Sequence, residues 1–456
     1  MKISNNNRKS TLKSYHKILF WLFLGILLGV LAFKSISLAA MLVTLYIAYF
    51  ADLKKSHKLM LTGGFIILSY IILANDVIYF IIFILLSSYL LDFLDLKSFS
   101  VFEYRAFKFL ICLKASLIFL IHYLGITFKD SIYYEGIIFQ FNINVLNFNI
   151  VQLYDLSGNT IHIGFQLFNS LIHKIIPSFL FLKELNILYI SLIAYIFYRL
   201  ITHHIGQREG KLTFWFILIS GSLFFYQNMF LKDIFVAALA SVLFYLIINK
   251  NVASLSFLTV FILLLITRSY VALSMGLIAL IWLVKQDLKK LWLVLIVPFL
   301  LLLSPIRDIF MDLYYYLMRI FSDTSNIFGV VKILVITFLQ AFFSPTLDNM
   351  FQISLLNHLL FIDSVIFSVL FVFLILFVLY LYWNKYNTRF DNYMLLSFIM
   401  LLIPIALFSF HRVYFAQGQY IDLQRKGVVL IPFMYYFASR FILSILNKKG
   451  TPTGTK

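Results

Sequence analysis

Cysteine is almost absent. Cys112 stands alone in 456 residues, so the chain has no disulfide framework and no cysteine-built metal site. Charge is scarce as well: 12% of residues are Asp, Glu, Lys or Arg, about half the share in a soluble domain. Acids are the rarer sign, 19 against 37 Lys and Arg. Internal repeats at a fixed period, low-complexity linkers and a soluble domain are all missing. What fills the chain is apolar: 62% of residues, 52 Phe and 28 Tyr among its aromatics, and mean hydropathy +0.96. No soluble fold of this length hides that much apolar surface. The solvent is a bilayer, and without the alternation of a β-barrel the expected class is an all-α, polytopic membrane protein.

Apolar runs predict about 14 spans, near 18–33, 36–51, 59–75, 77–93, 109–128, 185–202, 213–230, 234–248, 253–267, 270–284, 291–304, 364–383, 392–410 and 428–446. The first run follows Lys2, Arg8, Lys9, Lys13 and Lys17, as in a signal peptide. No small-residue cleavage site follows, so a retained first helix is expected. Segments 161–180 and 330–345 are ambiguous. The former is interrupted by His162, Gln166, His173, Lys174 and Pro177, the latter by Gln340 and Pro345.

Basic loops on the cytoplasmic side account for the net charge of +18 without any nucleic acid. Clusters at the N-terminus, Lys54-Lys55-Lys58, Arg105/Lys108, Arg199/Arg208/Lys211, Lys285/Lys289/Lys290, Lys385/Arg389 and Lys448-Lys449 share one face only if the two ambiguous segments do not cross fully. Both termini then lie in the cytoplasm. The long outer segments 129–184 and 305–363 are the places where extramembrane structure can form.

On that topology the outer face, which should be poor in cations, holds several. They are Lys232 beside Asp233, Arg268, Arg307 beside Asp308, His411, Arg412, Arg425 and Lys426. A charge at membrane depth is costly, and repetition of that cost on the unfavoured side asks for an anionic partner. Arginine's planar fork grips phosphate oxygens through two parallel hydrogen bonds, which points to a lipid-borne phosphate or diphosphate. Tyr270, Tyr414 and Tyr420 either stack on sugar rings or anchor the interface. Each cation has a plain alternative: Lys232 pairs with Asp233 or snorkels, Arg307 pairs with Asp308 or Asp312, and Arg425 and Lys426 anchor the following span. Arg268 has no acid near it in sequence. His203-His204, and His162 with His173, lack the carboxylates a metal would want. Asp130, Glu135 and Asp155 are candidate bases or ordinary loop charges.

These features resemble the Wzy-type polymerases of bacterial O-antigen and capsular polysaccharide. The likeness rests on layout, on Leu231-Lys232-Asp233 after a span, on TRSY at 267–270 in the next hairpin, and on QRKGVVLIPF at 424–433 running into the last span. It implies a GT-C-like fold in the bacterial inner (plasma) membrane. It also implies glycosyl transfer, without metal or other cofactor, between two undecaprenyl diphosphate-linked glycans at the outer face. A chain-length regulator is a possible partner. Carried over residue by residue, Arg268, Arg412 and Arg425 are diphosphate-binding and catalytic candidates. Asp233 is a support or participant, and Lys232, Tyr270, Arg307, His411, Tyr420 and Lys426 are substrate-binding candidates. For the acceptor's proton, Asp233, His411 and an acid of the first long loop remain open as bases. The second outer segment, 305–363, is longer than that pattern expects.

Three rival classes share part of this profile. Metal-dependent GT-C glycosyltransferases resemble one another in carrying an acidic pair in the first outer loop, where this chain has a tight turn around Phe33-Lys34-Ser35. An O-antigen ligase would share fold and donor chemistry. A lipid-linked oligosaccharide flippase would place charge in mid-membrane cavities and show related halves. Here most charge lies at span ends, Lys114 being the exception.

Overall fold

The computed structural model describes residues 76–125, 132–138, 163–220, 232–286, 355–383, 388–415 and 427–450, apart from a few single positions and some side chains within them. The expected spans at 18–33, 36–51, 59–75 and 291–304, and the segment 330–345, lie outside the described residues. Among those described, every regular element is helical. Three helices, Val101–Tyr123, Phe179–His204 and Gly427–Leu446, are long and apolar enough to cross a membrane, and shorter apolar helices accompany them.

The chain divides into two compact units. The first comprises residues 1–123 with 176–181, and its described helices are α1 (Asp76–Leu91) and α2 (Val101–Tyr123). The sequence expected the second of these at 109–128. It starts earlier because Ser100 and Glu103 form a capping box: the Ser100 N–H donates to Glu103 Oε2 at 2.6 Å, and the Glu103 N–H to Ser100 Oγ at 3.1 Å. Arg105 and Lys108, read from sequence as a basic loop, therefore lie inside α2. Lys108 is accommodated by Asp92 at 3.4 Å and by the Tyr104 ring at 4.7 Å. Phe80 meets Phe119 edge-on at 5.6 Å where α1 packs on α2.

The second unit comprises 124–175 and 182–456. Its helices are α3 (Ile163–Ile175), α4 (Phe179–His204, apart from its first residues), α5 (Gln207–Ile219), α6 (Lys232–Ile248), α7 (Leu255–Leu265), α8 (Ser269–Gln286), α9 (Leu355–Trp383) and α10 (Arg389–Phe415). A 3₁₀ turn, Gly427–Leu430, leads into α11 (Ile431–Gly450). The ambiguous segment 161–180 thus resolves into α3, a break at Pro177, and the start of α4. Proline lacks the N–H that would continue α3's hydrogen bonding and its ring crowds the preceding turn, and the Ser178 hydroxyl caps α4 by accepting from the Phe181 N–H at 3.2 Å. Helix α6 is central: fourteen of its seventeen residues are buried, and it packs on α7, α8 and the 3₁₀ turn. Phe197 of α4, Phe244 of α6 and Phe433 of α11 meet pairwise, with centroids 5.2–6.2 Å apart. That cluster fixes three helices at one point by area burial and aromatic geometry.

Candidate functional site

The site begins with a break between two apolar helices that contains neither proline nor glycine. Helix α7 is started by Ser254, whose Oγ accepts from the Phe257 N–H at 3.1 Å. It ends at Leu265, and α8 begins at Ser269. In between, the Thr267 hydroxyl donates back to the Leu263 carbonyl at 2.6 Å, a side-chain bond that competes with helix continuation. The Ile266 carbonyl freed by the break accepts from the Gly164 N–H of α3 at 3.0 Å. A break inside apolar packing thus keeps its backbone satisfied, and it does so by recruiting α3.

Arg268 stands in this break, 4% exposed. Its Nη1 lies 2.8 Å from Oδ1 of Asp233, which is fully buried at the first turn of α6. The acid that Arg268 lacked in sequence comes from another helix. Lys232, the neighbour of Asp233, is buried too at 2%, and the Tyr270 ring lies 5.6 Å from the Arg268 guanidinium carbon. Two cations and one carboxylate are therefore held where helices α6 and α8 begin. Removing one partner of such a buried pair costs about 3–5 kcal/mol, because a charge is left uncompensated.

Helix α3 closes on this break with little room to spare. A Cβ at Gly164 would collide with Thr267 Oγ1 and Ile266 Cγ1 and press on the Leu263 carbonyl at 3.1 Å. Phe165 and Phe168 then pack on Phe235 of α6 at 5.9 and 5.0 Å, and Tyr134 of the short helix 132–138 on Phe165 at 5.4 Å. Glu135, a candidate base in sequence, forms a 2.9 Å ion pair with Lys183 of α4, which ties the same segment down.

What sequence reasoning missed is the orientation of α3. Gln166, Asn169, Ser170 and His173, spaced three and four apart, are all buried, while Leu171 and Ile175 are 48% and 60% exposed. Asn169 and Ser170 donate to their own helix's carbonyls, those of Phe165 and Leu167, at 2.8 and 2.9 Å. Gln166 is fully buried, and neither atom of its amide finds a hydrogen-bond partner among the described residues. An amide left so costs about 1–3 kcal/mol. The same spacing was legible in the sequence, but which face turns inward was not.

Of the other predicted residues, His411 and Arg412 fall in the last turns of α10, with side chains outside the description. Arg307, Tyr420, Arg425 and Lys426, like Asp130, Asp155 and His162, lie outside the described residues. Among the described residues no group of three or more His, Cys, Asp and Glu is placed to hold a metal ion. A second charged cluster also went unread. Asp391 of α10 accepts from Tyr436 and Arg440 of α11 and from Thr388, and Arg440 reaches Glu209 of α5 at 3.8 Å.

No protein-family model, curated protein or solved structure matches the chain.

Proposed function

We propose that this chain is a glycosyltransferase of the bacterial inner membrane that joins undecaprenyl diphosphate-linked oligosaccharide repeat units into surface polysaccharide. The observation that carries the reading is the buried Arg268–Asp233 pair, with Lys232 beside it, at the break between α7 and α8. In this reading the chain has about 14 spans, a GT-C-like fold, cytoplasmic termini, and outer loops at 129–184 and 305–363.

The reaction follows from charge. A sugar hydroxyl of the acceptor attacks the anomeric carbon of the donor; the bond from that carbon to the diphosphate oxygen breaks, and the lipid diphosphate leaves with the electron pair. The hydroxyl proton goes to a base. Negative charge grows on the leaving oxygens, and a guanidinium already fixed in place stabilises it more in the transition state than before. A guanidinium has five N–H donors, more than one carboxylate can take, so Asp233 acts as the positioning residue that aims Arg268. That leaves the base to His411 or an acid of the first loop. Arg412 and Arg425 complete the grip on diphosphate, and Lys232, Tyr270, Arg307, Tyr420 and Lys426 line the substrate.

Arg268→Ala should abolish long-chain polysaccharide and leave single repeat units on the lipid, read by gel profile and by mass spectrometry of extracted lipids. Arg268→Lys should rescue poorly, because an ammonium cannot make the forked contact. Normal chain lengths in Arg268→Ala would sink the site.

A lipid-linked oligosaccharide flippase is the second reading, favoured by Lys114, which is 4% exposed within α2. Proteoliposomes separate the two readings. A polymerase lengthens the glycan, whereas a flippase moves it across the bilayer at unchanged length.

A further inference from the structure

Helix α6 carries Asp233, the partner of Arg268, at its first turn and borders a cavity at its last. Tyr245 lies twelve residues, about 18 Å of helical rise, beyond Asp233. There a cavity of about 270 Å³ opens between the ends of α4 and α6. Its walls are polar on both sides: Arg199, His203 and His204 come from α4, Tyr245 from α6, and Asn249 from just past the end of α6. Arg199 and both histidines are exposed. Helix α4 has 26 residues, about 39 Å of rise. The hydrocarbon core is roughly 30 Å thick, so a helix of this length has its ends among the lipid headgroups.

The walls select the sign of the ligand. Among the described residues no carboxylate lines the cavity. Glu209, the acid of the neighbouring α5, is drawn instead to Arg440 at 3.8 Å. Helix C-termini ordinarily present free carbonyls to cations, but here the chain takes them up itself. The Ile201 carbonyl of α4 accepts from the N–H groups of Ile205 and Gly206 at 2.8 and 3.0 Å. In α6 the Leu246 and Ile247 carbonyls accept from Asn251 and Lys250 at 2.8 and 3.1 Å, and the Asn249 amide covers the Tyr245 carbonyl at 3.0 Å. What the cavity offers is donors: a guanidinium with five N–H groups, and two imidazoles that each donate even when neutral. The His204 ring is stacked on Phe390 of α10, 4.7 Å between centroids and 13° from parallel, and the His203 ring lies 4.7 Å from it. One imidazole is thus fixed and the other rests against it. The volume falls just below the roughly 300–1,000 Å³ of sites for drug-sized ligands, which suits a small headgroup.

We propose that this cavity binds a phosphate group, gripped by Arg199 with His203 and His204, at the end of α6 opposite Asp233. In the topology expected from the sequence this end faces the cytoplasm, where anionic phospholipid headgroups and soluble phosphates both carry that group. The site is separate from the glycosyl-transfer reading and does not depend on it.

The full chain, purified in dodecyl maltoside and stripped of phospholipid, tests it with two probes. One is inorganic phosphate, read against chloride at equal ionic strength; the other is phosphatidylglycerol added to the micelles. At least one should bind saturably, and Arg199→Gln should weaken that binding about tenfold or more. Arg208→Gln removes an exposed cation that does not line the cavity. It should change the binding less than about twofold, because a solvated charge outside the cavity is largely screened. The Arg199-dependent binding should also persist in Asp233→Asn/Arg268→Gln, at the other end of α6. Binding of both probes, or of phosphate alone, assigns a site open to soluble phosphates; binding of phosphatidylglycerol alone assigns a lipid headgroup. Saturable binding of neither probe overturns the site. So does equal loss in Arg199→Gln and Arg208→Gln, the mark of a diffuse basic surface, or loss confined to the Asp233→Asn/Arg268→Gln variant. Should Arg199→Gln not fold, His203→Ala at its exposed position reads the same contrast with a loss of about threefold or more.

Discussion

The second unit holds two charge clusters built from the same ingredients, and their settings differ: the Arg268 and Asp233 side chains are 5% and 0% exposed, those of Arg440 and Glu209 17% each. In one, Arg440 is shared between two carboxylates, Asp391 and Glu209, and Asp391 also takes hydrogen bonds from Tyr436 and Thr388. In the other, Arg268 faces Asp233 at 2.8 Å, with Lys232 buried at the preceding position. The first cluster staples the first turns of α5 and α10 to the middle of α11. The second joins the first turn of α6 to the break between α7 and α8. In the glycosyl-transfer reading proposed above, binding falls to Arg268, deep in a helix break, and structure to Arg440.

The sharpest test separates stability from activity at Arg268. Arg268→Gln alone should destabilise the chain by about 3–5 kcal/mol, because the buried Asp233 carboxylate loses its guanidinium partner. The double variant Asp233→Asn/Arg268→Gln should recover most of that loss in denaturant titration in detergent. It should remain unable to extend glycans. A double variant that is both stable and active would reduce the pair to a staple like the other one.

The mirror experiment is made at the second cluster. Tyr436→Phe removes one donor from a buried carboxylate and should cost about 1.5–3 kcal/mol with chain-length distribution unchanged. Glycine gives a matched steric pair. A Cβ at Gly164 meets Thr267 and Ile266, and one at Gly210 meets Thr202 and the Tyr198 carbonyl. Each alanine variant should lose about 1–3 kcal/mol from overpacking. Only Gly164→Ala should also depress glycan extension, since it alone pushes α3 off the break that positions Arg268. Equal activity in the two would separate α3 from the site.

Helical class and apolar runs of span length were legible in the sequence, because hydropathy is a local property. Partnership was not. Asp233 and Arg268 are 35 positions apart, and nothing local joins the start of α6 to the break after α7. Helix starts also shifted for reasons hydropathy does not see. The Ser100–Glu103 box draws Arg105 and Lys108 into α2, and Ser178 starts α4 ahead of its predicted 185. The buried side of α3 was hidden for a third reason: in a membrane the apolar face points outward, so a polar stripe reads like an interruption until its burial is known.

The smallest effect tests whether the Asp391 cluster is structural through and through. Thr388 is the cap of α10: its Oγ1 accepts from the Asp391 N–H at 3.1 Å, while its own N–H donates to Asp391 Oδ2 at 2.8 Å. That reciprocal pair fixes the carboxylate that Tyr436 and Arg440 then use. Thr388→Ala should cost about 1 kcal/mol. Combined with Tyr436→Phe, the loss should fall short of the sum, since both changes loosen the same carboxylate. Glycan extension, measured on protein of equal folded fraction, should not move. If Thr388→Ala shortened the polysaccharide instead, burial in a helix break would be the wrong criterion for telling the two clusters apart, and Arg440 would have to be tested as a ligand-binding residue alongside Arg268.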